Sequence, residues 1–332
     1  MRIALLPLLA ACADPPAPAP AAAAAAPIAL DDAVAIVAAD LDGDGVDSVL
    51  GFQTAAAWQG TDLGGEVQTV ARGDIDGDGD EEALVATGQG RTLRDAPARV
   101  WALHADRAER LWEASGPRNQ VTDLAVIDGR VWVAAFTDRM TVGAGFLDAG
   151  GPAAGPAGHM AMRQRPLGDD RVVVGSLYGP EPRSDGDLSV RGPTGRAELP
   201  SLRGVRALAT GDLDGDGDLD LVVGDGWHAS YGQQGDPRVR LLEGPDFAEG
   251  RTIGWLEGSY AVLQLEVVGA GPGAWILATG SHDAWALRRD ALGWSARRVV
   301  AVSETGNAVA ARVADGWSVA ASGAPARQVT LP

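Results

Sequence analysis

The sequence has one cysteine, Cys12, and no lysine among its 332 residues. A single cysteine excludes an internal disulfide. No apolar run reaches the roughly 18 residues of a membrane-spanning helix. The motifs of a phosphate-binding P-loop, a serine-hydrolase elbow, a zinc-protease helix and a CxxC redox pair are all absent. These absences remove the commonest sequence indications of nucleotide binding, hydrolysis and thiol chemistry.

The charge balance is strongly acidic. Acidic residues outnumber basic ones by 45 to 27, which gives a formal net charge of −18. A phosphate backbone would repel such a chain, so we expect no nucleic-acid partner. Glycine and proline are abundant, at 45 and 20 residues. Frequent turns in a packed chain favour an all-β design.

The amino terminus has the pattern of an export signal. Met1 and Arg2 precede a short apolar stretch, and small residues stand directly before Cys12. This pattern resembles the lipobox of bacterial lipoprotein signal peptides. The resemblance implies that residues 1–11 are removed and that the Cys12 sulfur is acylated. Residues 12–33, rich in alanine and proline, are predicted to form an extended tether.

We therefore expect a lipid-anchored protein of the bacterial cell envelope that contacts the membrane through its lipid alone. The alternatives are a secretory signal with a chance cysteine and a chain start without a targeting role.

Internal repeats indicate the fold. Segments 39–45, 73–79 and 211–217 are near-copies, and a β-like run follows each of them. Four further segments keep the run without the acidic loop. The runs end at Leu50, Val85, Val133, Val174, Val223, Leu277 and Val319. These residues recur about every 45 positions, the length of a four-stranded propeller blade. We predict a seven-bladed β-propeller of four-stranded antiparallel blades over residues 34–332.

The second repeat can be divided into strands. Residues 68–73, 82–87, 99–103 and 110–113 are predicted as its four strands. Where the acidic loop is missing, Asp128-Gly129 and Asp315-Gly316 are predicted as tight hairpin turns. The tryptophans fall within strand runs, and we expect them to pack between adjacent blades.

The acidic loops have a metal-binding pattern. Each carries aspartates at positions 1, 3 and 5 and glycines at positions 4 and 6. The glycines permit a tight curl that turns the carboxylates toward one point, and hard oxygen ligands at this density suit Ca²⁺. An EF-hand would need a glutamate at position 12, where this chain has Gly51, Val85 and Val223. Solvated acidic turns without metal are the remaining alternative.

The pattern D-x-D-G-D-G-x-x-D/E running into a hydrophobic strand resembles the FG-GAP/VCBS repeats of integrin α-subunit propellers and many exported bacterial proteins. The resemblance is specific for three repeats and architectural for the other four. It implies about three calcium ions, bound by side chains at positions 1, 3, 5 and 9 and by the main-chain carbonyl at position 7.

The implied side-chain ligands are Asp40, Asp42, Asp44 and Asp47 in the first loop, Asp74, Asp76, Asp78 and Glu82 in the second, and Asp212, Asp214, Asp216 and Asp220 in the third. The implied carbonyls belong to Val46, Asp80 and Asp218. Asp47 stands one residue before position 9, which is Ser48, so its assignment requires a one-residue deletion in the first loop.

A partner site is expected on the propeller face opposite the acidic loops. The candidate residues there are Tyr178, Arg183, Trp227, His228, Tyr231, Tyr260 and His282. They could bind a protein or a glycan, or pack locally within their loops. The sequence contains no recognisable catalytic set, and we expect a monomer. A calcium-stabilised interaction module is the leading interpretation. A carbohydrate-active enzyme or its binding module, and a structural envelope lipoprotein, are the alternatives.

Overall fold

The structure is a computed structural model. It describes residues 33–53, 56–89, 96–114, 120–136, 142–152, 161–167, 171–176, 188–192, 195–198, 204–226, 237–247, 250–291, 293–302, 306–314 and 316–322. These residues form antiparallel strands and two 3₁₀ turns, Leu147–Ala149 and Gly271–Gly273. Within them, no helix has the length and hydropathy needed to cross a bilayer. The prediction of an all-β fold is confirmed.

The strands pair in sequence order. Strand β1 (Ala35–Ala39) pairs with β2 (Ser48–Phe52), and β3 (Ala57–Trp58) pairs with β4 (Thr61–Asp62). The next sheet is β5 (Glu66–Gly73), β6 (Glu82–Gly88), β7 (Arg99–Leu103) and β8 (Ala108–Glu113). A three-stranded sheet follows with β9 (Val121–Ile127), β10 (Arg130–Phe136) and β11 (Val142–Phe146).

The second half of the chain continues the pattern. One sheet is β12 (Ala161–Pro166), β13 (Val172–Ser176), β14 (Leu188–Gly192) and β15 (Gly195–Glu198). The next is β16 (Val205–Gly211), β17 (Asp220–Asp225), β18 (Arg238–Leu242) and β19 (Gly250–Trp255). Then come β20 (Val262–Val268), β21 (Trp275–Gly280), β22 (Asp283–Asp290) and β23 (Gly293–Ala301). The last pair is β24 (Ala308–Val313) and β25 (Gly316–Ala321).

The architecture is a β-propeller, but its blades differ from the prediction. Five sheets have three or four strands and form the blades, while the three remaining sheets are two-stranded. The prediction of seven four-stranded blades is therefore wrong. In the first repeat, β3 and β4 are only two residues long and pair with each other instead of extending the β1–β2 sheet. In the last repeat, the described strands end with β25.

Apolar side chains fill the space between successive sheets. Leu84 and Val100, for example, pack with Leu124 and Val133 of the next blade. First strands stand side by side along the chain, and β1 lies beside both β5 and β24, so the two ends of the described chain meet. Burying each such large apolar side chain contributes about 1.5–3 kcal/mol, which makes these interfaces the main source of stability.

A glycine after the apolar run of the second strand has a packing reason. A Cβ on Gly224 would overlap Val262 of the next blade, and a Cβ on Gly175 would overlap Val205 in the same way. The first strand of one blade thus approaches the second strand of the preceding blade too closely for a larger residue. This contact explains why a small residue recurs at these landmarks.

Several local predictions are confirmed. The four strands of the second repeat lie where the sequence places them. Asp128 and Gly129 have φ values of 51° and 71°, as a tight hairpin turn requires. The prediction for the tryptophans holds only in part: Trp101 and Trp132 are buried, whereas Trp255 is 49% exposed.

Candidate functional site

The second and third acidic loops, which join β5 to β6 and β16 to β17, have the same internal hydrogen bonds. Their first aspartate accepts hydrogen bonds from the backbone N–H groups of the fourth and sixth residues, at 2.6 and 3.2 Å in both loops. The donors are Gly77 and Gly79 to Asp74, and Gly215 and Gly217 to Asp212. The acids at positions 3 and 5 likewise accept from N–H groups two residues later. The same local sequence therefore gives the same loop twice.

The curl of the loops depends on their glycines. Gly77 and Gly79 have φ values of 78° and 99°, and Gly215 and Gly217 have values of 84° and 92°. This left-handed region strongly favours glycine. The carboxylate oxygens consequently converge, as the sequence predicted. Oxygens of Asp74, Asp76 and Asp78, and of Asp212, Asp214 and Asp220, lie within 4.8 Å of one another.

The acid at position 9 closes each of these two loops. Glu82 accepts a hydrogen bond from Ile75 N–H at 3.0 Å, and Asp220 accepts one from Leu213 N–H at 2.8 Å. Both carboxylates are buried, and this burial raises the pKa of Glu82 and of Asp220 above the usual range. Nearby aspartates add to both shifts, while the backbone donors oppose them. Each loop therefore concentrates negative charge around a buried acid.

The first loop converges without its predicted fourth ligand. Oxygens of Asp40, Asp42 and Asp44 lie within 4.8 Å of one another. Gly45 N–H donates to Asp40 at 2.8 Å, as in the other loops. Asp40 Oδ1 is buried and has no hydrogen-bond partner among the described residues. An unsatisfied buried carboxylate oxygen is costly, and a cation at this point would satisfy it.

Asp47 lies elsewhere, which corrects its assignment as a ligand of the first loop. Its fully buried carboxylate forms an ion pair with Arg72 of the next blade. It also accepts a hydrogen bond from Arg312 N–H at 2.6 Å and lies 3.5 Å from Arg312 Nε. It is not in the group of converging carboxylates that Asp40, Asp42 and Asp44 form, and the two arginines oppose its charge. Asp47 thus joins three parts of the ring.

The first and second loops contact each other through the residues before β6. Glu81 N–H donates to Asp40 O at 2.7 Å. The main-chain carbonyl of Asp80 was expected to bind metal in the second loop. The side chain of Asp80 lies against the first loop, so close to Gly43 that a Cβ on this glycine would overlap the Asp80 carboxylate. Partial loss of hydration and repulsion from Asp78, Asp40 and other loop acids raise the pKa of Asp80.

His104 is a neighbour of the second loop that the sequence analysis missed. Its Nδ1 lies 3.2 Å from Glu82 Oε1, and it shares a group of potential ligand atoms with Glu82 and Asp76. His104 directly follows β7, in the outer hairpin turn. In a four-stranded antiparallel blade, the turn between the third and fourth strands lies on the same face as the loop between the first and second strands. This rule could have indicated the contact. No spacing in the sequence connects His104 with the loop.

The other predicted site residues are either untested as ligands or lie partly outside the described residues. The carbonyls of Val46, Asp80 and Asp218 and the side chain of Asp216 stay predictions as ligands. Cys12, Tyr178, Arg183, Trp227, His228 and Tyr231 lie outside the described residues. Tyr260 N–H donates a hydrogen bond at 3.3 Å to the Oγ of Ser281, the residue before His282. His282 is exposed.

A polar cavity of about 440 Å³ lies among the first strands. Glu266 pairs there with Arg72 at 3.2 Å, and Asp123 pairs with Arg165 at 2.8 Å. Burial raises the pKa of Glu266 and of Asp123 despite these arginines. Burial works to lower the pKa of Arg72, but Glu266, Asp47 and Glu81 together raise it. The Asp123–Arg165 pair joins the neighbouring strands β9 and β12, whereas the Glu266–Arg72 pair joins β20 and β5, whose blades are not adjacent.

No family model and no curated protein matches the chain. Solved structures with similar folds include the extracellular domain of a one-component system protein from B. thetaiotaomicron, at 11% identity and a TM-score of 0.45, with 81% of this chain and 34% of that chain covered. A candidate 6-phosphogluconolactonase from Bacteroides uniformis has 11% identity and a TM-score of 0.44, over 82% and 86% of the two chains.

The β-propeller domain of the Trilobed protease from Pyrococcus furiosus has 10% identity and a TM-score of 0.41, over 76% and 78% of the chains. This chain spans about a third of the first of these proteins, the one-component system protein. The propeller fold of this chain follows from its own strand order and from the contacts between successive first strands.

Proposed function

We propose that this protein is a calcium-stabilised β-propeller of the FG-GAP/VCBS type. It is displayed on the bacterial envelope through a lipid on Cys12 and serves as an interaction module for a protein or glycan. The observation that carries the calcium assignment is the agreement between the second and third loops. In each loop three carboxylates converge, at positions 1, 3 and 5 in the second loop and at positions 1, 3 and 9 in the third, and the acid at position 9 is buried in both. The donors are mainly hard oxygens, which suit Ca²⁺ better than zinc.

The role of the metal is electrostatic. Without a cation, three or four carboxylates in each loop repel one another. Calcium bound by Asp74, Asp76, Asp78 and Glu82 would replace this repulsion with attraction and hold β5 against β6. The corresponding residues would act in the third loop. In the first loop the ligands are Asp40, Asp42 and Asp44.

Two further blade positions complete the proposed ring. The β1–β2 and β24–β25 pairs would occupy them, so that the repeat number is seven although the strand number varies. Support comes from the seam between them. Asn307 accepts a hydrogen bond from Ile36 N–H and donates one to Ile36 O, both at 2.8 Å. Ile36 also packs with Val309 across this seam.

Thermal melting tests the calcium proposal. A ligand at 100 times its Kd stabilises the folded state by about 2.7 kcal/mol per site. We expect calcium to raise the Tm of the metal-stripped protein by several degrees, and EDTA to reverse the shift. An equal concentration of Mg²⁺ is the control, with a smaller expected shift. A Tm that neither calcium nor EDTA changes would contradict structural calcium.

The envelope location has a separate test. In cells, Cys12→Ser should move the protein from the membrane fraction to the soluble extracytoplasmic fraction, because only acylated sulfur would hold it. Unchanged membrane association would exclude the lipid anchor without affecting the calcium proposal.

A further inference from the structure

A groove lined by three tryptophans lies between two neighbouring blades. It has a volume of about 490 Å³ and is open to solvent. Thr252, Trp255 and Glu257, in and just after β19, line one side, and Trp285 and Trp294 of β22 and β23 line the other. Gly254 lets the two blades approach, because a Cβ there would overlap Leu287. We call this surface the tryptophan groove.

Trp255 is held as an exposed platform. It is the most exposed of the described phenylalanine, tryptophan and tyrosine side chains, at 49%. Arg238 lies over its ring, 6.0 Å from the centroid. The buried Asp225 fixes Arg238 by accepting from its backbone N–H at 2.6 Å and from its Nε at 2.7 Å. A side chain ordered in this way loses little conformational entropy when a ligand stacks on it.

The opposite wall contains two unsatisfied donors. The indole Nε1 atoms of Trp285 and Trp294 are buried, and neither has a hydrogen-bond acceptor among the described residues. Buried donors normally find partners. A ligand rich in oxygen acceptors is the kind that can supply them after a small side-chain adjustment.

Two arginines share the face that carries these tryptophans. In the β22–β23 register, Arg298 is opposite Trp285 and Arg289 is opposite Trp294. Both arginines are exposed, and Arg298 is positioned by an ion pair with Asp283 at 2.5 Å. In a chain of net charge −18, these two arginines give this face positive groups beside the acidic Asp283 and Glu257. They would attract carboxylate groups that the rest of the surface repels.

From these observations we propose that the tryptophan groove binds an acidic polysaccharide. The apolar face of a pyranose ring stacks on Trp255, and the carboxylates of neighbouring uronate units reach Arg289 and Arg298. Thr252 and Glu257 are available to the sugar hydroxyls. The proposal names the partner of the interaction role proposed above and rests on that role, but it does not require calcium.

Binding of polygalacturonate fragments to the intact protein tests this assignment. Isothermal titration should give saturable binding that weakens as salt increases, because exposed charges are screened. Trp255→Ala should weaken binding about ten-fold or more, as loss of an aromatic contact at the centre of a site does. Trp255→Tyr should retain part of the affinity. Arg289→Ala should weaken binding and reduce its salt dependence.

The matched control is Trp112→Ala, which also removes a tryptophan from the outermost strand of a four-stranded blade. Its affinity should equal that of the unaltered protein, and dextran of equal length should not bind. Three results would each overturn the proposal: no binding of acidic glycans, equal loss in the two tryptophan variants, or binding only of peptides. The calcium-dependent melting shift would stand in every case, so the two proposals can fail separately.

Discussion

Buried carboxylates in this chain have two kinds of neighbours. Glu82 and Asp220 face other acids of their loops, and burial raises the pKa of both. Asp47 and Asp123 face arginines instead, in pairs that join different blades. The first kind suits a cation, while the second is already neutralised by the protein itself. Adjacent residues in one sequence pattern can therefore have different roles.

Asparagine substitutions separate these two roles. Asp47→Asn should lower the free energy of unfolding by roughly 2–3 kcal/mol, somewhat less than a fully buried pair because the Arg312 side chain is 41% exposed. It should leave the calcium-induced rise in Tm unchanged. Asp220→Asn should reduce that rise. Ser48→Ala, at position 9 of the first loop, is the control and should change neither quantity. A calcium shift lost in Asp47→Asn would return this residue to the first loop.

Glu266 predicts a pH dependence away from the loops. Its pKa in the folded protein lies above the 4.5 of an unperturbed glutamate, because burial outweighs the attraction of Arg72. The folded state thus binds more protons than the unfolded chain above pH 4.5, and the free energy of unfolding falls as pH rises through this window. Glu266→Gln should make that fall smaller. Urea denaturation in EDTA between pH 4.5 and 7.5 measures it, with exposed Glu257→Gln as control.

At the scale of elements, the acidic loop and the strand that follows it form one unit. The loop is set by local sequence, since its hydrogen bonds repeat in two distant places. The strand is set by packing, since Gly175 and Gly224 each lie against a valine of the next blade. A change at the glycine should therefore disturb the contact between blades without changing the loop.

Gly224→Ala tests this contact. The added methyl would overlap Val262 and should cost about 1–3 kcal/mol of stability, as overpacking of a dense interior does. Gly273→Ala is the matched control, because open space surrounds a Cβ at that position. Chemical denaturation compares the two. Equal stability of the variants would mean that the interface yields to the methyl group, contrary to this explanation.

The sequence predicted the positions of strands and turns better than it predicted which side chains contact each other. Strand positions in the second repeat and the Asp128-Gly129 turn follow from short-range alternation and turn chemistry, which a sequence records directly. The ion pair of Asp47 with Arg72 and the contact of His104 with Glu82 join residues that are distant in the sequence. The exposure of Trp255 also depends on how two blades meet. Such placements are products of packing, so residue spacing along the chain could not reveal them.

At the scale of the whole molecule, the ring is held together where the ends of the described chain meet. Strands β1 and β24 lie side by side there, and the side-chain amide of Asn307 forms two hydrogen bonds with the backbone of Ile36. Arg312 adds its contact with Asp47. This seam has no covalent link, so its polar contacts should limit how easily the ring opens.

Asn307→Ala should weaken the seam. Loss of two partly buried hydrogen bonds should lower the free energy of unfolding by about 1–3 kcal/mol, and amide hydrogen exchange should increase first in β1 and β24. Asn307→Asp, which places a carboxylate oxygen against the Ile36 carbonyl oxygen, should lower the free energy of unfolding at least as much. Exchange that increases uniformly over all blades would show that the seam is not the weakest interface.

Calcium titration calorimetry of the metal-stripped protein tests the central proposal most directly. The account predicts saturable binding of at least two calcium ions per chain, one in each of the two matching loops, and one fewer ion in Asp214→Asn. Titration heats no larger than those of dilution would contradict it, as would a stoichiometry that Asp214→Asn leaves unchanged.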